Sequence, residues 1–254
     1  MIRVGVLGAD GRMGHLVWAA ALADPEMEPV TAIDPSSAGR PMPGGTEIAS
    51  EMEALEAGGA EVAVDFTRPD AVMANVEWLI DHGIHAVVGT TGVGPTELDR
   101  IRGWLETRPD VGVVVAPNFS IGAVIAQRLA EEAARFFPAA EVIELHHDRK
   151  VDAPSGTAAA TARRIAAARK EAWTGPAAGE AFRGGEVEGV RVHSVRLPGL
   201  VAHQEVVFGA QGQTLTIRHD APDRSAYLPG VLLAIREVRS RPGLTVGLEP
   251  LLEL

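Results

Sequence analysis

From Glu144 to Arg164 the chain reads ELHHDRKVDAPSGTAAATARR, gathering two adjacent histidines, a lysine and a Ser-Gly-Thr triplet in one short stretch. An imidazole such as that of His146 titrates near neutrality and can carry a proton to a reacting centre. Lysine loses its charge only on deep burial, so Lys150 supplies a positive charge. Ser155, after Pro154, has the type and place of a helix N-cap, and Gly156 and Thr157 then fall on the first turn. Their amides point at an anion, and the missing side chain at Gly156 lets that anion approach. With positive charge from His147 and Lys150, the stretch reads as a carboxylate cradle beside a proton donor. Each residue also has an ordinary use, as a surface histidine, a solvated lysine or a cap. Their combination is what points to chemistry. Adjacent histidines make poor zinc ligands and no close third ligand stands nearby, so no metal is expected.

A second constellation opens the chain. GVLGADGRMG places Gly8, Gly11 and Gly14 directly after an apolar strand and at the start of a helix. A dinucleotide pyrophosphate needs such bare backbone and the exposed amides of a helix N-terminus. The spacing differs from the commoner G-x-G-x-x-G, so its strand-turn-helix context carries the argument. Asp34 ends the second strand, where a carboxylate can bind the adenosine ribose hydroxyls and repel a 2′-phosphate. Asp10 adds negative charge nearby, whereas Arg12 could hold a 2′-phosphate. The balance favours NADH, with NADPH also accommodated. Gly89, Thr90 and Thr91 are placed to contact the nicotinamide ribose, and Ala116, Pro117, Asn118 and Phe119 the nicotinamide ring. Both loops stand at the carboxyl ends of strands, where open α/β sheets bind ligands.

The elements that must position these residues follow from composition and periodicity. The chain has 254 residues, 46% of them hydrophobic but only 4% aromatic, so the core rests on Val, Leu, Ile and Ala. Strands are expected at Ile2–Leu7, Pro29–Asp34, Glu61–Phe66, His85–Thr90 and Val111–Ala116, with helices at Met13–Asp24, Asp70–His82 and Pro95–Leu105. This alternation predicts a Rossmann-like, doubly wound parallel sheet. Beyond it lie a helix at Ile121–Phe137, a strand through AAEVIELHH and a helix at Thr157–Arg169. Strand-like runs follow at Gly189–Leu197, Ala202–Gly209 and Gln213–Arg218. They predict a second α+β domain with an open mixed sheet. The Gly- and Pro-rich stretch Trp173–Gly189 reads as a mobile loop, and Ser225–Arg241 as a closing helix with a short tail.

A net charge of −11 argues against nucleic acid as a partner. The absence of cysteine excludes disulfides, thiolate metal sites and a cysteine nucleophile. No apolar run has the length of a membrane span, and the first apolar run ends as a short strand rather than a signal peptide, so a cytoplasmic protein is expected.

The histidine stretch resembles the signature of the bacterial dihydrodipicolinate reductase family, the 4-hydroxy-tetrahydrodipicolinate reductases, and most of all their actinobacterial branch. VGVLGADGRMG, VDFTRPDAV, VVGTTG, APNFSIGA, ELHHDRKVDAPSGTA and RLPGLVAHQEVVFG appear in the family's order along nearly the whole chain. The resemblance implies NAD(P)H-dependent reduction of 4-hydroxy-tetrahydrodipicolinate to tetrahydrodipicolinate, with loss of water, in diaminopimelate and lysine biosynthesis. It implies a dinucleotide-binding domain of residues 1–119 and 224–254, and a substrate-binding and oligomerisation domain of residues 120–223 that builds a homotetramer. His146 and Lys150 match the proton-transferring pair. His147, Gly156 and Thr157 match contacts to a small dicarboxylate, to which Ser155 is added as the cap. Gly8, Ala9, Asp10, Gly11, Arg12, Met13, Asp34, Gly89–Thr91 and Ala116–Phe119 match cofactor contacts. Two departures stand out: Arg149 replaces a histidine found before the lysine in several relatives, and Asp10 replaces a neutral or basic residue. The competing readings are another two-domain dehydrogenase and a non-catalytic NAD(H) sensor, and a sensor would not need an intact His146 and Lys150.

Overall fold

The structure, a computed structural model, describes residues 1–170 and 181–254. The chain forms two units, one of Met1–Phe119 with Tyr227–Leu254 and one of Ser120–Ala226.

The first unit is built on a seven-stranded sheet of β1 (Ile2–Leu7), β2 (Met27–Ile33), β3 (Ile48–Ala49), β4 (Val62–Asp65), β5 (His85–Val88), β6 (Gly112–Val115) and β12 (Gly243–Val246). The strand order is β12-β6-β5-β4-β1-β2-β3, and every pairing is parallel. The central strands are apolar throughout because helices cover both sheet faces: Val4, Val6, Val62, Val64, Val87, Val113 and Val114 are all fully buried. The connecting helices are α1 (Arg12–Ala23), α2 (Glu53–Ala57), α3 (Val72–Asp81), α4 (Pro95–Leu105) and α7 (Leu228–Glu237). Helix α1 packs beside α7, and α3 beside α4. The core under α3 and α4 joins Val76, Leu79, Ile80 and Ile101 to Ala63, Ala86 and Val113. Between β1 and β4 the strand order reverses direction. A doubly wound sheet leaves its ligand crevice at that point, on the carboxyl side of the strands.

The second unit is a five-stranded mixed sheet of order β11-β10-β7-β9-β8, formed by β7 (Ala139–His146), β8 (Gly185–Val187), β9 (Val190–Arg196), β10 (Ala202–Ala210) and β11 (Gln213–Ala221). Only β7 and β9 pair in parallel. Helices α5 (Ile121–Ala134) and α6 (Gly156–Ala168) pack against this sheet, and Ala130, Ala158, Ala162 and Ile165 meet Val142, Val192, Val206 and Phe208. Strand alternation puts Ala140, Val142, Glu144 and His146 on this helix-covered face of β7, and Glu141, Ile143 and Leu145 on the other.

Both expected sheets are present, and β1 and α4 occupy the residues read for them. Three differences have physical causes. The closing helix is shorter than expected, and Gly243–Val246, read as tail, is the edge strand β12 paired to β6. Its four residues carry too little pattern to show a strand whose partner is far away in sequence. The stretch read as a mobile loop, Trp173–Gly189, lies outside the described residues up to residue 180. Its remainder contains a single 3-10 turn at Ala181–Arg183 and the strand β8. The short β3 and α2 were not anticipated.

Gly14 shows how closely the first helix approaches the first loop. A Cβ there would run into the Gly8 carbonyl oxygen and the Ala9 backbone. Neither neighbour is a flexible side chain, so Gly14→Ala should destabilise the protein by about 1–3 kcal/mol, as overpacking does. Urea unfolding checks this, and wild-type stability in the variant would contradict the packing described.

Candidate active site

The second unit brings the histidine stretch together around one buried carboxylate. Glu144, fully buried on β7, accepts hydrogen bonds from four directions. His146 Nδ1 lies against Oε2, and the Ser155 amide donates to Oε1 at 3.2 Å. The Arg196 guanidinium donates to both oxygens, at 2.9 and 2.8 Å. Ser194 adds a further hydrogen bond. The pairing register explains this convergence, since Ser194 is the β9 partner of Glu144 and Arg196 is the partner of His146. Burial by itself would raise the carboxyl pKa. The hydrogen bonds from His146, Arg196 and Ser194 outweigh it and lower the pKa from 4.5 to about 2.

Arg196 does more than neutralise Glu144. Its remaining N–H groups donate to the carbonyls of Lys150 at 3.2 Å and Asp152 at 2.6 Å. One guanidinium therefore ties β9 to the loop that carries Lys150. That loop ends at Ser155, whose Oγ accepts from the Ala158 amide at 3.2 Å and caps α6 as expected. Helix α6 is fixed from its other side by the buried Thr161, which bonds Gln127 of α5 and Gln204 of β10. The N-terminus of α6 is thus held on three elements.

Several expected roles change in detail. Lys150 is ion-paired, with Nζ 2.7 and 2.8 Å from the two carboxylate oxygens of Asp152. That carboxyl is held below its usual range chiefly by the lysine's hydrogen bond. Desolvation first, then Arg149, Arg224 and His146, lower the pKa of His147, which works against the positive charge expected there. Its Nδ1 is buried without a hydrogen-bond partner among the described residues. Positive charge comes instead from Arg149 and Arg224, both near enough to act on His147. A Cβ added at Gly156 would meet nothing within 4 Å, so open space faces the first turn of α6.

In the first unit, the glycine loop has the form a pyrophosphate requires. Gly8 has a φ of +72°, and a Cβ there would lie 2.7 Å from the Phe66 carbonyl oxygen. Gly11, the N-cap of α1, has no side chain to cap it, and no acid stands in the first turn. The amides around Arg12 and Met13 are left for an anion. Ala9 is buried, and its amide donates to the Ile33 carbonyl. Asp10 accepts from Ser37 Oγ at 2.5 Å and from Arg40 at 2.8 Å. The Ser37 hydrogen bond is the main reason its pKa is lowered. Asp34 caps the turn after β2 through Oδ1, bonding the Ser36 amide at 3.2 Å and its hydroxyl at 2.6 Å. Its other oxygen has no hydrogen bond among the described residues. Arg12 is exposed on the first turn of α1.

The Gly89–Thr91 loop is anchored by Asp65, a fully buried carboxylate at the end of β4. It accepts from the Thr67 amide and hydroxyl, from Asn75 at 2.8 Å, and from Thr90 Oγ1 at 2.6 Å. Thr90 therefore spends its hydroxyl on the protein and offers a ligand only backbone. Gly89 leaves room for the Phe66 ring, which a Cβ would strike. Thr91 is exposed. Ala116 and Phe119 are buried, and the Phe119 ring packs against Phe66 with centroids 5.9 Å apart. Pro117 is exposed and Asn118 half-buried.

Sequence reasoning missed Glu144, Arg196, Arg224, Asp65 and Arg40. For Glu144 a signal existed, because a carboxylate at a core-facing position of a strand needs partners. For Arg196 and Arg224, only the folded pairing reveals their neighbours. Among the described residues, no group of acidic residues and histidines is placed to hold a metal ion. No helix among them is long and apolar enough to cross a membrane.

The glycine-loop sheet and the acid–base cluster belong to the class of dinucleotide-dependent oxidoreductases, and comparison with known proteins narrows the class. Residues 2–119 match the family model "Dihydrodipicolinate reductase, N-terminus", and residues 122–252 match "Dihydrodipicolinate reductase, C-terminus". The chain is 55% identical to the 4-hydroxy-tetrahydrodipicolinate reductase of Nocardia farcinica, over all of this chain and 99% of that protein. It is 53% identical to the enzyme of that name from Mycolicibacterium gilvum, over the full length of both. The dipicolinate-bound dihydrodipicolinate reductase from Paenisporosarcina sp. TG-14 superposes with a TM-score of 0.85. That pair shares 35% identity over 98% of this chain and 99% of the other. The chain belongs to the dihydrodipicolinate reductase family.

The lowered pKa of Glu144 has a consequence for stability. A carboxyl depressed in the folded state stabilises it above the unfolded value, 4.5, and that contribution fades as pH falls towards about 2. Wild type should therefore lose its advantage over Glu144→Gln on acidification. The gap should shrink by about 2 kcal/mol between about pH 6 and pH 3. Urea unfolding of both proteins measures it, and a gap independent of pH would refute the assignment.

Proposed function

We infer that this protein catalyses the NAD(P)H-dependent reduction of 4-hydroxy-tetrahydrodipicolinate to tetrahydrodipicolinate with loss of water, a step of diaminopimelate and lysine biosynthesis. Family membership supports the reaction. The observation that supports the site assignment is that His146, the Ser155 amide at the α6 N-terminus and the Lys150 carbonyl all bond the Glu144–Arg196 pair.

The glycine loop fits a dinucleotide, since Gly8 and Gly14 let the loop fold tightly against the Phe66 and Ala9 backbone at an uncapped helix N-terminus. Gly8–Met13 and Asp34 would hold the pyrophosphate and adenosine ribose. The backbone of Gly89–Thr91 and the Ala116–Phe119 loop would hold the nicotinamide end. When bound, NAD(P)H supplies the hydride. Two negative charges, Asp10 and Asp34, disfavour a 2′-phosphate, and Asp10 already occupies Ser37 and Arg40. NADH is the preferred cofactor in this reading, with NADPH accepted through Arg12.

On the substrate side, the Gly156 and Thr157 amides at the α6 N-terminus take one carboxylate, with Ser155 shaping that turn as its cap. His147 adds a hydrogen bond, and Lys150 adds charge. A hydroxyl leaves as water only if a proton reaches its oxygen, and His146 and Lys150 are the groups placed to deliver it. A relative bound to dipicolinate supports a small dicarboxylate as ligand. The protein would work in the cytoplasm as a homotetramer. The five-stranded sheet supports the assembly, because α5 and α6 cover one face while Ile143 and Val207 look out from the other.

A coupled assay tests this reading. Pyruvate, aspartate semialdehyde and a dihydrodipicolinate synthase generate the unstable substrate in place, and oxidation of NADH or NADPH is followed. Wild type should oxidise both, NADH with the higher kcat/KM. His146→Ala and Lys150→Ala should each lose about 100-fold or more in kcat, the usual worth of a general acid. Their NADH Kd should stay unchanged. No substrate-dependent oxidation would overturn the function, and wild-type turnover in both variants would overturn the site.

A further inference from the structure

Two features of the buried hub determine the state of the histidine beside it. Ionised Glu144 has no proton to give, so both oxygens only accept hydrogen bonds. The group against its Oε2 is His146 Nδ1, which must therefore be the nitrogen that carries hydrogen. Arg196 holds the carboxylate in the plane needed, by a two-point contact that a single cation such as lysine cannot reproduce. The side chain of His146 is only 14% exposed, so the ring cannot easily turn over to present its other edge.

We propose that Glu144, oriented by Arg196, is a positioning residue that locks His146 as the Nδ1–H tautomer and directs Nε2 towards the reactants. The inference rests on the reading of His146 as a proton carrier. When the ring is neutral, Nε2 is bare; it takes a proton from solvent water and later releases it to the departing hydroxyl, which leaves as water. Glu144 stays ionised throughout and stabilises the imidazolium formed in between. The same carboxylate holds the Ser155 amide, so the proton carrier and the anion cradle are set by one group. Without the carboxylate, the ring would exchange between two tautomers, and only one of them has Nε2 ready to accept a proton.

The test is a 15N NMR measurement of the histidine rings in substrate-free protein, joined to kinetics of Glu144→Gln. The chain has eight histidines, so the His146 signals are those missing from the spectrum of His146→Gln. Wild type should show a protonated Nδ1 and a bare Nε2 in its neutral form, and Glu144→Gln a mixture of tautomers. The same variant should lose at least about tenfold in kcat, within the range a positioned acid–base group contributes. Its NADH Kd should stay within about twofold, which separates lost positioning from lost folding. An Nε2–H tautomer in wild type would overturn the proposal, as would a folded Glu144→Gln protein with wild-type kcat. Where Glu144→Gln fails to fold, the wild-type tautomer decides alone. A wild-type protein with the Nδ1–H tautomer but no reductase activity would retain the locked histidine and refute the function instead.

Discussion

A fully buried carboxylate cannot stand alone in a protein, and Glu144 is ionised at the centre of the second unit. Removing an ion from water costs several kcal/mol, and only a partner with matched geometry offsets it. Arg196 is that partner, and its obligations spread outward. By holding Glu144 it aligns His146, and by holding the Lys150 and Asp152 carbonyls it shapes the loop leading to α6. Through the Ser155 amide the same carboxylate reaches the helix N-terminus. His146, the loop that carries Lys150 and the N-terminus of α6 thus answer to one ion pair. Breaking such a pair by removing one partner costs roughly 3–5 kcal/mol, so the site and the unit's stability are hard to separate by mutation.

The first unit repeats the device on a smaller scale. Asp65, also buried, gathers the ends of β4 and β5 by accepting from Thr67, Asn75 and Thr90. One of the loops that would hold the nicotinamide end, Gly89–Thr91, therefore rests on a fixed carboxylate. The glycine loop works by absence instead, since bare backbone and an uncapped helix N-terminus leave amides for phosphate. Beside that loop, Asp10 pairs with Arg40.

Much of this was legible from the chain. The apolar runs ending in Gly8, Asp34 and Gly89 announce parallel strands, because a strand buried on both faces must be apolar throughout. Pro95 and the helical spacing after it mark α4 at the residues it occupies. The Ser155 cap follows from its type and its place after Pro154. What stayed hidden depends on pairing between distant residues. Glu144 was in view, but Arg196 is 52 positions away and meets it only through the β7–β9 register. The strand β12 exists because β6 offers it an edge. The desolvation and nearby cations that lower the His147 pKa, Arg224 among them, also cannot be seen before folding.

The central claim is that the Glu144–Arg196 pair builds the substrate site, and Arg196→Lys tests it most directly. Lysine keeps the positive charge but cannot grip both carboxylate oxygens and the Lys150 and Asp152 carbonyls together. Calorimetric titration with dipicolinate, beside a titration with NADH, reads the two units separately. The account predicts a dipicolinate Kd raised at least tenfold, about 1.4 kcal/mol, with the NADH Kd unchanged. Wild-type affinity for dipicolinate in Arg196→Lys would contradict it.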